Sequence, residues 1–499
     1  MQDLRRRELL LSLKNATIEA SFSVPMLNLT LTAFPFVLGF AVAALGWGPQ
    51  ALGWLAAVHH LCNAAQPPVT ALLERRLSLH RIIIWGFVLN ALPWALVWTL
   101  PWLGEARDAA FTAIVVVATL ANAVCAVAWS AAVTELVPLS IRGTYFGRRN
   151  AVFGFWTLVV VLGAGYAAAR WDNSLTVFGI IFSVAAGMRL VGLVFLLRMK
   201  FPARVMECRP EPFRMATYLA PLRNPAYRWL MLFAGAWGFC LTLGQPFYSL
   251  YVLRELDFTM SDLTVLSTLA SLGGLISLRS WGPLTDRFGN KPVLLTCAFL
   301  WALTAMVAWT FAGPGRTAHL HVNYFITGYM FAGFHLCQFN LMLKLVPTER
   351  KSHYISVFYA VTSLMTALGP VAGGLLLARL PRELGSLLGE PLLGYHALFA
   401  GSLLLCLFTL HLLGPMQEPA QRPVRELVRA MRAMREFNPV LGLSSMAQYV
   451  FTPSAIVKLA GDSWRTLRRQ TRDVTAVGGD LLEGGLRTVR APFRRRRPD

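Results

Sequence analysis

Long apolar segments recur along the whole of this 499-residue chain and constrain its fold more than any other feature. Each has about 20 residues or more, enough for an α-helix to cross a hydrocarbon core of about 30 Å. Strands of a membrane β-barrel would show about ten residues of alternating polarity, a pattern that the sequence lacks. The predicted spans cover residues 17–45, 50–73, 82–102, 109–137, 150–169, 175–198, 228–252, 262–283, 292–312, 321–346, 353–378 and 394–415. We therefore predict an all-α membrane protein with twelve transmembrane helices.

Basic residues are distributed unevenly between the two sides of these spans. The net charge of +21 could indicate binding to nucleic acid, although 56% of the residues are apolar and only 14% are charged. If the N-terminus is cytoplasmic, 37 of the 46 Lys and Arg residues fall on the cytoplasmic side. Such an excess is typical of inner-membrane proteins. It predicts that both termini are cytoplasmic and that the chain has no nucleic-acid partner.

The longest predicted loop, a cytoplasmic linker over residues 199–227, divides the spans into two groups of six. The sequence Glu135–Pro138 recurs as Lys344–Pro347, and flanking residues match at the same offset, which indicates an internal duplication. Two parallel six-helix halves are typical of transporters. The predicted segments are a cytoplasmic tail over 1–16, six-helix bundles over 17–198 and 228–415, and a basic cytoplasmic tail over 416–499.

The basic tail has 16 basic and 8 acidic side chains. Its first part has apolar residues at helical spacing with arginines between them, the pattern of a basic amphipathic helix. We expect this helix to lie on the anionic inner leaflet of the lipid bilayer. The rest of the tail is predicted to be partly disordered.

The loop between the eighth and ninth spans has the sequence GPLTDRFGNK, from Gly282 to Lys291. It closely resembles the loop signature G-x-x-x-D-R-x-G-R-K of the major facilitator superfamily, at the place in the topology where that family has it. The resemblance implies two pseudo-symmetric six-helix bundles around a central cavity. It also implies secondary transport of a small organic solute by alternating access, coupled to protons. The alternatives are a drug or metabolite efflux antiporter of the same fold and, in a different class, a polytopic membrane enzyme or sensor.

In that family the signature loop latches the cytoplasmic side in one of two states. The resemblance makes Asp286 the latch carboxylate, with basic partners at the start of the eleventh span. A degenerate counterpart of the loop lies in the first half, and a simple turn between helices is the alternative to a latch. The predicted latch residues are Gly282, Asp286, Arg287, Gly289, Lys291, Glu74, Arg75, Arg350 and Lys351.

Glu135 and Lys344 occupy equivalent positions of the repeat and have opposite charges. Pseudo-symmetry would bring the inner ends of the fourth and tenth spans together when the inner gate closes. We therefore predict a gate ion pair between these two side chains in the outward-facing state. The alternative is that both are solvated charges at helix ends.

Polar side chains inside the spans are costly in lipid and usually face protein or a water-filled cavity. Several share helical faces on spans that line the cavity in the resembled family, although each alone could pack between helices. The predicted substrate-cavity residues are Asn28, Thr32, His59, Asn63, Gln66, Asn122, Trp129, Arg189, Gln245, Tyr248, His335 and Gln338. Arg189 lies deep in the sixth span. It could bind an anionic substrate or a carboxylate partner, or extend to the inner surface.

Glu19, His59 and His335 are the candidates for proton coupling, because each could titrate inside the protein. The histidine pairs lack further ligands at metal spacing, and there is no Walker A motif. We therefore expect no metal, no cofactor and no enzymatic activity, and we expect a monomer. The segment Gly369–Gly374 is similar to a signature that drug antiporters have in the fifth span. Because it lies in the eleventh span here, a proline kink with a small-residue packing face is favoured.

Overall fold

The computed structural model describes residues 6–32, 35–137, 142–171, 174–207, 220–345, 351–387, 390–416, 418 and 423–433. Most of these residues are helical, since a helix satisfies its backbone hydrogen bonds within the segment. The helices of the first half are α1 (Arg6–Leu29), α2 (Pro35–Ala43), α3 (Pro49–Glu74), α4 (Leu79–Ala91), α5 (Arg107–Leu136), α6 (Arg142–Arg170), α7 (Leu175–Leu197) and α8 (Ala203–Met206). Two 3-10 helices, Leu92–Trp102 and Gly104–Ala106, connect α4 to α5.

The second half repeats this helical plan. Its helices are α9 (Pro225–Gly244), α10 (Pro246–Arg254), α11 (Met260–Phe288), α12 (Asn290–Thr310), α13 (Ala318–Lys344), α14 (Lys351–Arg379) and α15 (Gly394–Thr409), and α16 (Val424–Ala433) lies in the basic tail. The 3-10 helices Ala220–Arg223 and Leu410–Leu413 precede α9 and follow α15. An antiparallel hairpin of β1 (Glu383–Leu387) and β2 (Glu390–Leu393) connects α14 to α15.

Nine helical segments within the described residues are long and apolar enough to cross a membrane. They coincide with nine of the twelve predicted spans. The other three predicted spans fall on α1 with α2, on α3 and on α13. Helices α1, α3 and α13 have 24, 26 and 27 residues and contain several polar or charged side chains.

Two helices begin well before the apolar segments that predicted them. Helix α1 begins at Arg6, inside the predicted tail over 1–16, and α6 begins at Arg142, between the predicted spans 109–137 and 150–169. The apolar criterion misses such turns because it recognises only the part of a helix that faces hydrocarbon. As a result, Arg149 is not a loop charge, and its side chain points into the bundle.

The helices alternate in direction, so their ends lie on two sides of the bundle. We refer to the side on which α1 begins as the basic side and to the other as the opposite side. Apolar residues from α1, α4, α5 and α7 form a packed layer at the basic side of the first half. Its fully buried members include Ile83, Val133, Leu136 and Leu196, with Leu13 beside them. This basic-side layer separates the interior of the first half from the basic face.

The two halves are pressed together on the opposite side. A Cβ atom at Gly53 of α3 would overlap the carbonyl oxygen of Pro370 in α14. A Cβ atom at Gly374 would lie 2.7 Å from the carbonyl oxygen of Pro49. The Arg254 guanidinium donates to the carbonyl oxygen of Trp47 at 2.8 Å. Glycine therefore lets the backbones of the two halves meet directly on this side.

The segment Gly369–Gly374 is a packing surface, as its position in the eleventh span indicated. Gly373 meets the backbone of α9 and Gly374 meets that of α3. Toward the basic side, α3 and α14 leave an apolar cleft of about 380 Å³ between them. The cleft is lined by Leu61, Ala64, Ala65, Ala360, Val361 and Leu364. Helices α3 and α14 thus stay packed against each other along a seam that carries a shallow apolar groove.

Candidate functional site

A buried ionic cluster lies inside the first half and consists of Glu19 of α1, Arg149 of α6 and Arg189 of α7. The Ser23 hydroxyl accepts from Arg189 Nη1 at 2.6 Å and donates to Glu19 Oε1 at 2.6 Å. Arg189 Nη1 also lies 3.8 Å from Glu19 Oε1, and the two side chains are 5% and 2% exposed. The Arg189 guanidinium lies 3.5 Å from the centre of the Phe87 ring. The structure thus places Arg189 beside a carboxylate partner in the interior rather than at the membrane surface.

Arg149 is the loosest member of the ionic cluster. Its Nη2 lies 3.9 Å from Glu19 Oε2, which is too far for a hydrogen bond. Its guanidinium lies 4.1 Å from the centre of the Trp129 ring, and its side chain is 14% exposed. Arg149 is absent from the residues that the sequence predicted, because it was assigned to a loop. The available signal was its position directly before the apolar run of α6.

Four polar atoms of this region are buried and have no hydrogen-bond partner among the residues that the structure describes. They are Glu19 Oε2, Arg149 Nε, Arg189 Nε and Trp129 Nε1. Buried polar groups are normally paired, and the cluster contains two positive charges for one negative charge. It therefore has unused donors and an excess of one positive charge, which a bound anion would balance.

A polar stripe runs along α3, as the spacing of its residues predicts. His59 Nε2 and Asn63 Nδ2 are 3.0 Å apart, and Gln66 Nε2 donates to Thr70 Oγ1 at 2.9 Å. At about 100° per residue, the stripe lies on the face of α3 that points away from the apolar cleft with α14. Neighbours along the stripe therefore bond to one another on a side of α3 that does not contact the cleft.

The remaining cavity candidates are spread over both halves. Asn28 is buried and donates to Thr157 Oγ1 at 3.3 Å, and Thr32 is also buried. Tyr248 stacks on Trp309 with ring centroids 4.0 Å apart, so it takes part in the aromatic packing of the second half. Gln245 and His335 are exposed, and the half-buried candidates are Asn122 and Gln338.

A second polar centre, the carboxylate clasp, lies at the basic-side end of the second half around Glu418. Glu418 Oε1 accepts from Lys344 Nζ and from Asn290 Nδ2, both at 2.9 Å. Its Oε2 accepts from the backbone N–H of Lys291 at 2.8 Å. Lys291 Nζ donates to the carbonyl oxygen of Gly414 at 3.2 Å. The clasp ties the start of α12 and the end of α13 to the chain that follows α15.

The hydrogen bonds of the clasp determine the charge of Glu418. Burial by itself would raise the pKa of this carboxyl, because burial penalises the charged form. The hydrogen bonds from Asn290, Lys291 and Lys344 outweigh burial and lower the pKa of Glu418 below its ordinary value of 4.5. Glu418 is therefore ionised at neutral pH and acts as the acceptor at the centre of the clasp.

The signature loop forms the sharp connection between α11 and α12. Gly289 has a φ of +92°, a conformation that glycine adopts at little cost and other residues rarely adopt. Asp286 and Arg287 are exposed, whereas Lys291 belongs to the carboxylate clasp. Of the partners predicted for Asp286, Arg350 lies outside the described residues, as does the side chain of Lys351.

In this structure the predicted gate residues have separate surroundings. Lys344 bonds to the carboxylate clasp, and Glu135 is exposed at the end of α5. In the first-half counterpart of the signature loop, Glu74 is half-buried and Arg75 is exposed. Gly282 has open space where a side chain would lie.

Comparison with known proteins gives one family and several transporters. The profile of the Major Facilitator Superfamily matches residues 21–260 and 240–472. A stretch of 162 residues, 32% of the chain, is 26% identical to the multidrug resistance protein MdtL of Shewanella sp. (strain ANA-3). This stretch spans 38% of that relative's length. A solved mutant of the nucleoside transporter NupG has a TM-score of 0.64 at 13% identity, covering 80% of this chain and 98% of its own.

A bacterial homologue of the iron transporter ferroportin has been solved in two states. Its inward-facing form has a TM-score of 0.61 at 15% identity, covering 81% of this chain and 97% of its own. Its outward-facing form has a TM-score of 0.54 at 16% identity, covering 82% and 98%. At these identities the likeness shows the fold alone. Of the two states of the ferroportin homologue, the inward-facing form has the higher TM-score with this chain.

Proposed function

This chain belongs to the Major Facilitator Superfamily, and we propose that it moves a small organic solute across the membrane by alternating access. It is a multi-pass membrane protein with the fold of that family. We propose that α1, α3 and α13 also span the membrane, which gives twelve spans and places both termini in the cytoplasm. The ionic cluster is the observation that supports transport best. Three ionisable side chains inside a membrane bundle are costly, and in such proteins they mark substrate or ion pathways.

With cytoplasmic termini, the basic side is the cytoplasmic side. The opposite side is closed by the contact of Gly53 with Pro370 and by the hydrogen bond of Arg254 to Trp47. This arrangement is the one expected of an inward-facing state, and the better match to the inward-facing ferroportin homologue supports it. The proposed pair of Glu135 and Lys344 belongs to the other state, in which the cytoplasmic ends meet.

We propose that transport is coupled to protons and that Glu19 is the coupling group. Protonation of Glu19 would remove its ion pairs with Arg149 and Arg189, so binding of a proton and rearrangement of the cluster would be linked. The other candidates, His59 and His335, have no such charged partner among the described residues. This makes Glu19 the candidate whose titration would change most contacts.

We expect reconstituted protein to move a solute faster under an imposed proton gradient. Solutes that stabilise the purified protein against heat would be loaded into or outside liposomes, and their flux measured with the gradient in each direction. The gradient is expected to accelerate flux several-fold in the wild type and to have little effect on Glu19→Gln. Glu383→Gln, an exposed acid in β1, is the matched control. A flux indifferent to every ion gradient would refute coupling, and the absence of any solute flux would refute transport.

Efflux of a drug or metabolite is the second candidate function. The name of the relative MdtL favours it. The same liposomes distinguish the two candidates. A symporter moves the solute in the direction in which protons flow, whereas an antiporter moves the solute in the opposite direction.

We propose that the carboxylate clasp holds the cytoplasmic end of the second half together. Glu418→Gln is expected to lower the thermal midpoint by about 2–5 °C, because it removes charge-assisted hydrogen bonds to Lys344 and Lys291. The folded pKa is below the ordinary value, so the stabilisation is complete above pH 4.5 and is lost as the pH falls through the folded pKa. Thermal melts from pH 7 to pH 3 would check this. The difference between the two proteins should vanish at the acid end, and a difference that grows on acidification would contradict the assignment.

We also propose that α16 lies on the anionic inner leaflet and that the transporter works as a monomer. Helix α16 is strongly amphipathic, with Arg425 and Arg429 exposed and Leu427 buried. Basic side chains of this kind are attracted to anionic lipid.

A further inference from the structure

The ionic cluster has an unbalanced charge in a place where imbalance is costly. The negative charge of Glu19 compensates the charge of one arginine, so the cluster retains one net positive charge. Its three ionisable side chains are only 2% to 14% exposed. Burying an ion without a counter-charge is strongly unfavourable. The basic-side layer stands between the cluster and the cytoplasmic face. Leu196, a member of that layer, lies seven residues beyond Arg189, about 10 Å along the helix. The layer therefore shields Arg189 from cytoplasmic water, whereas Arg149 of α6 stays 14% exposed.

The two arginines differ in their ability to take another partner. Arg189 is held by Ser23, by Glu19 and by the ring of Phe87. Arg149 makes no hydrogen bond to Glu19, its Nε has no partner, and it is the most exposed of the three charged side chains. The Trp129 ring that it contacts also has a buried indole N–H with no partner. Unused donors thus converge around Arg149.

We infer that Arg149 and Trp129 bind the carboxylate of an organic monoanion and that the transported solute belongs to this class, an inference that rests on the proposed transport function. One bound negative charge would cancel the net charge of +1 on the ionic cluster, whereas a dianionic phosphate would change that net charge to −1. A guanidinium donates two parallel N–H bonds to a carboxylate, and the free Nε of Arg149 is available for such a pair. The Trp129 ring offers an apolar surface to the body of the solute.

Glu19 faces the same guanidinium and does not block it. Its Oε2 lies 3.9 Å from Arg149 and accepts no hydrogen bond. A solute carboxylate can therefore bind to Arg149 without breaking a hydrogen bond between Arg149 and Glu19. Glu19 then remains bonded to Ser23 and close to Arg189. The net positive charge repels organic cations, so the site selects against them.

Calorimetric titration of the purified full-length protein with benzoate, benzamide and phenyl phosphate tests the inference. Benzoate is expected to bind and to raise the thermal midpoint, whereas benzamide, which has the same shape without the charge, is expected to do neither. Phenyl phosphate is expected to bind more weakly than benzoate. Arg149→Gln should weaken benzoate binding about tenfold or more. Arg149→Lys keeps the positive charge but lacks the paired N–H donors of the guanidinium, so it should weaken benzoate binding less than Arg149→Gln.

Arg170→Gln is the matched control, because Arg170 is an exposed arginine at the other end of the same helix. Equal binding of benzamide and benzoate, or unchanged benzoate binding in Arg149→Gln, would overturn the inference. The inference would also be overturned if the wild-type protein bound neither benzoate nor octanoate, a second monocarboxylate. If Arg149→Gln does not fold, Arg149→Lys and the comparison of benzoate with benzamide decide the outcome.

The liposome assay separates this inference from the proposed function. Flux of a neutral or cationic solute, with no response to any carboxylate, would refute the anion site and leave transport standing. Binding of carboxylates without flux of any solute would support the anion site and refute transport.

Discussion

Replacement of Arg189 by methionine is expected to abolish transport and to reduce the yield of folded protein sharply. The change removes the guanidinium that bonds to Ser23 beside the Glu19 carboxylate. Arg149, 3.9 Å away and without a hydrogen bond to Glu19, is then the remaining charged partner of the carboxylate. Removing one partner of a buried ion pair costs about 3–5 kcal/mol where no counter-charge remains. Arg149, which makes no hydrogen bond to Glu19, compensates the carboxylate only in part. This is a large share of the about 5–15 kcal/mol by which native proteins are typically stable. Fluorescence-detected size exclusion and the thermal midpoint would measure the loss.

A second change distinguishes the lost ion pair from a merely altered shape. Glu19→Gln combined with Arg189→Met removes both charges of the close pair, so we expect folded protein to recover while transport stays absent. Arg198→Met is the control, since Arg198 is exposed at the end of the same helix. If the single variant folds and transports normally, the cluster is dispensable. If the double variant is no better than the single one, the unpaired carboxylate is not the cause of the loss.

Gly53→Val is expected to prevent closure of the opposite side and to abolish transport. Even a Cβ atom at this position would overlap the carbonyl oxygen of Pro370. Because both atoms belong to helix backbones, α3 and α14 must move apart to relieve the overlap. Overpacking of this kind typically costs about 1–3 kcal/mol, which shifts a two-state equilibrium by about fivefold to a hundredfold. We therefore expect a transporter that is folded and held with its opposite side open.

A cysteine reporter on the same helix measures this shift. Leu52 is fully buried and lies on the polar-stripe face of α3, so Leu52→Cys should react slowly with a membrane-impermeant maleimide. In the Gly53→Val background, labelling from the opposite side should accelerate about tenfold. Gly163→Val is the matched control, because nothing lies within 4 Å of a Cβ atom at Gly163. Unchanged labelling in a folded Gly53→Val protein would show that this contact does not hold the side closed.

Nine of the twelve predicted spans were readable from the sequence because apolar length is a strong and local signal, and each coincides with a described helix long and apolar enough to cross a membrane. The polar stripe from His59 to Thr70 follows from helical spacing alone. Arg189 was also identifiable, since an arginine deep in an apolar run requires an explanation. These features depend on residues that are close in sequence.

The partners of the charged groups were not readable, because they depend on contacts distant in sequence. Lys344 bonds to Glu418, a residue that follows α15 and lies in a tail predicted to be largely separate. Arg149 looked like a loop charge because the polar first turns of α6 lack the apolar pattern. Tyr248 had cavity-like spacing with Gln245, but its ring is used in packing against Trp309. Periodicity identifies a face and does not identify what that face meets.

The unequal charge count of the ionic cluster has an electrical consequence. With Glu19 ionised, the ionic cluster of an empty transporter has one net positive charge within the electric field of the membrane, whereas a cluster loaded with a monoanion alone has none. Moving one charge through a potential of 100 mV changes its energy by about 2.3 kcal/mol. An inside-negative voltage therefore holds the empty form facing the cytoplasm and leaves a form loaded with a monoanion alone unaffected. Membrane voltage would then slow the return of the empty transporter. A loaded step would be independent of voltage when it carries the monoanion alone, and voltage-dependent when a proton on Glu19 accompanies the anion.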